Sequence, residues 1–440
     1  MHRVFKTLSD QVPSLIELAG FGKTVRQVQE LASLLGKLEM SRSKSSFKTT
    51  NELLLALTML TEHHTERHVT DLQVELKNRV LQHPSMDEME RARRYCGYSF
   101  SSYDRDLMKR ICTFDSSADA DVNILQLHPK SSHGRPAHFI IERRTKVEKE
   151  ILIAVRGTME LGDAISSTLC ASETLFEGMC HGGILNAANY LFDEHRHLIR
   201  ICSEAGYKIR LCGHSYGGGA ASVLAMMLKS ALPDADIRTY GFATPAIMSE
   251  CLVRDSEDFV TTYVNGYDCI PRASIANARK LLEELHTFDW RARYEARVDE
   301  ICAHTDVLTS RIEVTKPIIE TVRTRLLRLS EESEPMESSS SVSLQDVVAQ
   351  DIDLSDVDLY PPGQCVQLHN DCQAYYVDAT CDFNSLILTP TCVSDHRIAN
   401  YVNRFGESWG NFDTNALKHR RRKRTREALD NIIKHRSVWT

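Results

Sequence analysis

Gly213-His214-Ser215-Tyr216-Gly217 sets a serine midway between two glycines. This G-x-S-x-G spacing suits a nucleophile elbow, a tight turn between a strand and a helix with the serine hydroxyl at its tip. Gly213 and Gly217 let neighbouring backbone approach without Cβ clashes. The flanks agree with that reading. Apolar Ile209 to Cys212 precedes the motif, and small residues Gly218 to Ala221 follow it. The plainer alternative is a glycine-rich turn holding an incidental serine.

A serine hydroxyl is a weak nucleophile until a base takes its proton, and the base needs an acid to orient it. On an elbow of this kind the chain order is Ser, then Asp or Glu, then His. Asp268 lies just past the apolar run Phe259 to Val264, where the carboxyl edge of a sheet would put it. His396 follows the apolar run Ser385 to Leu388 and Pro390. His369 is its main rival, with His286 and His304 behind. His369 precedes the strand-like Ala374 to Val377, whereas the base is expected after the last strand. An oxyanion hole needs two N–H donors. Tyr216, next after the nucleophile, supplies one. Thr158, in the loop Arg156-Gly157-Thr158 after the apolar run Ile151 to Val155, supplies the other.

These residues need a scaffold that gathers them at one sheet edge. Short apolar runs at Ala137 to Glu142, Ile151 to Val155, Tyr207 to Cys212, Asp236 to Phe242, Phe259 to Val264, Ala374 to Val377 and Ser385 to Leu388 read as strands. Apolar-rich stretches such as Ala187 to Phe192 and Ala220 to Leu228 fall between some of them. Alternating strands and helices imply an α/β fold, a mostly parallel central sheet flanked by helices. Residues 1–90 read as a helical N-terminal region, with Val25, Val28, Leu31, Leu34 and Leu35 at helical spacing and Asn51 as an N-cap for Leu53 to Leu60. The α/β domain is expected over 91–275 and 365–410. Residues 276–364 read as an insertion between acid and base, helical at first and then acidic, Ser-rich and partly disordered. No Lys or Arg occurs between Arg328 and Arg397. Residues 411–440 form a basic tail carrying Lys418, Arg420, Arg421, Arg422, Lys423, Arg424 and Arg426.

The chain has 440 residues, a hydrophobic content of 42% and a formal net charge of −7. That mild acidity argues against a general nucleic-acid binder, and no nucleic-acid partner is expected. The 13 cysteines are scattered, without CxxC pairs or a Cys/His spacing that reads as a zinc site. Scattered thiols read as reduced, a start without a secretory pattern and the lack of any apolar run near 18–20 residues lead to the expectation of a cytoplasmic protein, peripheral on membranes rather than through them.

Taken together and in order, several motifs resemble those of the class 3 lipases. They are Val155-Arg156-Gly157-Thr158, Gly213-His214-Ser215, Tyr240-Gly241-Phe242-Ala243-Thr244-Pro245, Asn265 with Asp268, Pro271-Arg272 and Asp395-His396. Asp163, His181-Gly182-Gly183 and the insertion between acid and base are most similar to the sn-1-specific diacylglycerol lipases. The resemblance covers roughly residues 90–275 and 365–405. It implies an α/β-hydrolase fold, ester hydrolysis on a glycerolipid with diacylglycerol as substrate, and a lid within Met159 to Met179. Leu161, Ile165, Leu169, Leu175 and Phe176 give that segment its apolar character. Two positions depart from the pattern: Tyr216 stands where leucine is usual, and Ser166-Ser167 replace a second aspartate. Animal members also carry N-terminal transmembrane helices, and that anchoring is not carried over. The mechanism needs no cofactor or metal, and calcium enters through the resemblance alone. The basic tail is a candidate contact for anionic lipid. Rival activities are a triacylglycerol lipase or phospholipase A1 with the same three residues, and an inactive lipid-binding scaffold.

Overall fold

The computed structural model describes residues 50–78, 81–104, 120–132, 134–158, 172–309, 357–369 and 373–409, together with Ile111 and Thr324. Helix α1 (Thr50–Asn78) comes first and α2 (Met86–Ser101) second. Strands β1 (Asp121–His128), β2 (His138–Arg144) and β3 (Lys149–Val155) follow. A hairpin of β4 (Ser172–Leu175) and β5 (Gly178–His181) leads into α3 (Gly182–Glu204). Then β6 (Lys208–His214), α4 (Tyr216–Ala231), β7 (Ile237–Phe242), α5 (Glu250–Ser256) and β8 (Val260–Asn265) alternate. Helices α6 (Ile275–Thr287) and α7 (Trp290–Thr309) precede β9 (Gln364–Leu368), β10 (Ala374–Val377) and α8 (Ile398–Trp409).

Eight strands make one sheet in the order β1-β2-β3-β6-β7-β8-β9-β10. The five from β3 to β9 run parallel, and antiparallel strands complete both edges. Strand pleating decides which side chains meet which layer. In β3, Ile151, Ile153 and Val155 enter an apolar cluster shared with α3 and α4. Leu152 and Ala154 enter a second cluster shared with α2 and α8. Both faces are therefore covered, which is why the strand reads as one unbroken apolar run. With an elbow at the carboxyl end of β6, the architecture is the α/β-hydrolase fold.

The chain divides into two compact units, and the division differs from the expected one. The first takes in residues 1–80, 275–355 and 385–394, the second 81–274, 356–384 and 395–440. The expected boundary at residue 90 falls inside α2, whose Met89, Ala92, Tyr95 and Cys96 pack on the sheet. Within the first unit α1 packs against α6 and α7. Apolar side chains of a helix need an apolar partner, and α1 finds it in the two helices at the start of the insertion. There His64 donates from Nε2 to Glu284 at 3.0 Å and accepts the Leu388 N–H at Nδ1. That contact explains a second correction. Ser385 to Leu388 form no strand; the run is an irregular segment whose apolar side chains are buried and whose backbone is met by a side chain. A short apolar run cannot be told from a strand by pattern alone. Asn51 is likewise inside α1 rather than its cap.

The helices expected before residue 50, most of the acidic stretch and the whole basic tail lie outside the described residues. So do residues 159–171 of the expected lid. Its remainder is the β4–β5 hairpin, held in place by Met179 N–H donating to Ser249 Oγ and His181 N–H donating to the Ile247 carbonyl. Among the described residues no helix is long and apolar enough to cross a membrane.

Candidate active site

Strand β6 ends at His214 and α4 begins at Tyr216, which leaves Ser215 alone at the corner. Its backbone sits at φ 55°, ψ −128°. An L residue held there stores on the order of 1–3 kcal/mol of strain, which the surroundings must hold in place. Ser215 N–H donates to the Phe242 carbonyl at 2.8 Å, and Gly219 N–H donates to the Ser215 carbonyl at 3.1 Å. The two motif glycines are needed for close approach. A methyl on Gly217 would lie 2.2 Å from the Val155 oxygen, and one on Gly213 would lie 2.4 Å from the Gly217 backbone.

The structure brings Ser215, His396 and Asp268 together, all three buried. His396 Nε2 lies 3.1 Å from Ser215 Oγ. Its Nδ1 lies 3.1 and 3.2 Å from the two carboxylate oxygens of Asp268. A carboxylate can only accept, so Nδ1 carries the proton and Nε2 offers its lone pair to the serine hydroxyl. Asp268 also receives the Tyr401 hydroxyl at 2.7 Å and the Ile270 N–H at 3.0 Å. These donors stabilise a charge that has no water around it. The rival His369 sits in the turn between β9 and β10, its N–H donating to the Gln373 carbonyl. His286 and His304 belong to α6 and α7.

The loops bearing acid and base are tied to each other. Asp395, the residue before His396, accepts the Tyr267 N–H at 3.0 Å, and its backbone carbonyl accepts from Asn265 Nδ2 at 3.2 Å. Gly266 has φ 52°, and a methyl there would lie 2.6 Å from the Asp395 carboxylate. Asn265 N–H donates in turn to the Tyr401 hydroxyl at 3.0 Å. Arg404 Nε donates to Asn265 Oδ1 at 3.0 Å.

A second chain of bonds connects the base loop to the loop after β3. His214 Nε2 lies 2.7 Å from the His396 carbonyl, which can only accept, so Nε2 carries the proton and Nδ1 accepts. The donor to Nδ1 is the Tyr103 hydroxyl at 3.0 Å. Tyr103 Oη accepts the Gly157 N–H at 3.0 Å. Burial and the neighbouring His396 hold the His214 imidazole well below its usual range, so it stays neutral and keeps this polarity. Burial likewise raises the Tyr103 phenol, which stays protonated.

Of the expected oxyanion donors, Tyr216 opens α4 and its hydroxyl donates to the Gly183 carbonyl at 2.9 Å. Thr158 is half-buried in the loop after β3. That loop lies against the elbow: a methyl on Gly157 would come within 2.5 Å of the His214 oxygen and 3.4 Å of Ser215 Cβ. Calcium takes about six to eight oxygen ligands; among the described residues the Asp268 carboxylate instead accepts the His396, Tyr401 and Ile270 donors, and Asp395 Oδ2 accepts the Tyr267 N–H. Sequence reasoning did not find Tyr103 or Tyr401. No local spacing marks either, since each acts across more than fifty residues of chain.

Residues 152–278 match the family model described as lipase (class 3). The chain resembles the class 3 lipases. It is 39% identical over 148 residues to diacylglycerol lipase-beta from Mus musculus, covering 30% of this chain and 21% of that protein. Diacylglycerol lipase-alpha from Homo sapiens is 24% identical over 286 residues, covering 57% of this chain and 25% of that protein. The chain thus spans about a fifth to a quarter of the length of these relatives. A solved structure of Rhizomucor miehei triacylglyceride lipase aligns with 17% identity over 44% of this chain and 76% of that chain, at a TM-score of 0.38. The class 3 lipase match includes Ser215 and Asp268 and stops short of His396.

Proposed function

We propose that this chain is a serine lipase that hydrolyses acyl esters of glycerolipids, converting diacylglycerol to monoacylglycerol and a free fatty acid. The observation that carries the reading is the approach of His396 Nε2 to Ser215 Oγ at 3.1 Å while Nδ1 faces Asp268. Ser215 Oγ attacks the ester carbonyl as His396 takes its proton. Asp268 keeps the imidazole in the required tautomer and stabilises the imidazolium. The backbone N–H groups of Tyr216 and Thr158 receive the developing oxyanion. His396 then protonates the departing glyceride oxygen, leaving the acyl group on Ser215. Water, deprotonated by His396, attacks that ester and releases the fatty acid.

The diacylglycerol assignment rests on the likeness to diacylglycerol lipases. Peripheral attachment to a cytoplasmic leaflet rests on composition, through the basic cluster Lys418 to Arg426 and its attraction to anionic lipid. The half-exposed Phe176 at the turn of the β4–β5 hairpin suits an interface, because an apolar ring left in water gains cover against lipid. A fluorophosphonate probe should label the wild-type chain and not Ser215→Ala. A panel of di- and triacylglycerols and phospholipids, with products identified by mass spectrometry, then tests the substrate. Labelling that survives in Ser215→Ala would defeat the mechanism. Release from triacylglycerol or phospholipid alone would defeat the diacylglycerol assignment.

A further inference from the structure

Helix α3 turns an apolar stripe toward the sheet, with Leu191 and Ile199 buried on it. His195 occupies the same stripe between them and is equally buried. An imidazole in an aliphatic position is costly unless both ring nitrogens find partners. One does: His195 Nε2 lies 2.8 Å from His138 Nε2. The other, Nδ1, has no hydrogen-bond partner among the described residues.

His138 is the first residue of β2 and is also buried. Its Nδ1 lies 2.8 Å from the Pro136 carbonyl. A carbonyl only accepts, so Nδ1 bears the hydrogen and the Nε2 lone pair points at His195. A ring fixed through one N–H by a backbone carbonyl, with the other nitrogen presented outward, is the arrangement found behind metal-bound histidines. Directly across the ladder, His128 of β1 is the register partner of His138. The two rings stack at 4.4 Å, and the His128 ring lies 5.9 Å from that of His195. One nitrogen from each of the three residues falls within 4.8 Å of the others.

We infer that His128, His138 and His195 form a binding site for a borderline divalent transition-metal ion, with zinc as the representative. Three imidazoles and no carboxylate disfavour calcium and magnesium, which take oxygen ligands, and suit zinc, cobalt, nickel or copper. A zinc ion takes imidazole nitrogens at about 2.0–2.1 Å, so tetrahedral ligand atoms stand about 3.3 Å apart. On binding, His195 therefore moves its hydrogen from Nε2 to Nδ1, and the Nε2–Nε2 separation, 2.8 Å here, widens by about half an ångström. His128, stacked and half-buried, turns its ring to become the third ligand. The fourth position is left for water, as in three-histidine zinc sites. A metal there would clamp the antiparallel edge of the sheet to α3. It would do so beside the end of β3: His138 is paired with Val155, and Arg156 N–H donates to the Ala137 carbonyl. No sequence spacing announces the site, because its members come from two strands and a helix.

The test uses the full chain, stripped with a chelator and then titrated. Zinc binding is measured by calorimetry, and cobalt binding by visible absorption. Wild type should bind one ion that raises its melting temperature, with a cobalt spectrum lacking thiolate charge transfer. His128→Gln, chosen because that ring is half-exposed and its loss should spare folding, should weaken zinc binding about tenfold or more. It should also abolish the shift in melting temperature. Circular dichroism confirms that the variant is folded, and His195→Gln gives a second reading. Absence of saturable zinc binding by wild type would overturn the inference. Equal affinity in wild type and His128→Gln would overturn it as well, as would a cobalt spectrum dominated by cysteine thiolates.

Discussion

Replacing Tyr401 with phenylalanine removes one oxygen atom from beneath the acid and leaves the ring in place. The ring keeps its edge contacts with Phe242 and His214, so no cavity opens. Two bonds disappear. The fully buried Asp268 carboxylate loses its 2.7 Å donor, and the Asn265 N–H loses its acceptor at 3.0 Å. A hydrogen bond to a charged group contributes about 1.5–3 kcal/mol, and an orphaned buried donor costs about 1–3 kcal/mol. Stability should therefore fall by about 2.5–6 kcal/mol. Catalysis should suffer less. Asp268 keeps the Ile270 N–H and the imidazole, so its role is loosened rather than lost. If half of the lost carboxylate bond is felt in the transition state, the barrier rises by about 0.75–1.5 kcal/mol, roughly a four- to twelvefold fall in kcat. KM should hold, because a buried hydroxyl beneath the acid meets no substrate. The assay is steady-state hydrolysis of a soluble aryl ester by wild type and Tyr401→Phe below their melting temperatures, alongside urea unfolding. An unchanged kcat would refute the idea that this hydroxyl positions the acid. An unchanged unfolding midpoint would refute the bond accounting itself.

Three further outcomes follow from the same geometry. Tyr103→Phe should strand the Gly157 N–H and His214 Nδ1, lowering stability by about 2 kcal/mol and slowing fluorophosphonate labelling; an unchanged labelling rate would count against the bridge. Gly217→Ala forces a methyl to 2.2 Å from the Val155 oxygen, so labelling should be lost or the chain should fail to fold; a normally labelled, stable variant would contradict the elbow geometry. His214 titrates well below its unfolded value because of burial and the nearby His396. The unfolded chain thus takes up a proton below about pH 6.5 that the folded chain refuses. Stability from this group is complete above that pH and declines below it by about 1.4 kcal/mol per unit. Urea unfolding at pH 7 and pH 5 should show a smaller drop in His214→Gln than in wild type, and equal drops would rule the account out.

The parts legible in the sequence were those whose signals are local. The elbow announces itself through glycines two residues either side of Ser215. Four of the five parallel strands, β3, β6, β7 and β8, announce themselves through apolar runs long enough to fill both faces. The choice of His396 over His369 agrees with the strand order, although one strand invoked for it, Ser385 to Leu388, is an irregular segment. Its apolar residues are buried without a ladder. Strand β1 escaped notice because its burial alternates between exposed and half-buried, with no fully apolar face. Strand β9 was overlooked because polar Gln364 and Gln367 break up a short run. The tyrosines at 103 and 401 could not be read in advance. Their partners lie 54 to 136 positions away, and a lone tyrosine in a helix or turn carries no mark of a distant acceptor.

The family match begins at residue 152 and ends at 278. A fragment cut to those limits would keep the serine and the aspartate but discard the imidazole, the phenol braced under the acid and the phenol that bridges two loops. It would also shed the β1 and β2 edge strands. Anyone trimming this protein for expression should treat the pieces on either side as machinery, because the ends of the recognisable module are not the ends of the working unit.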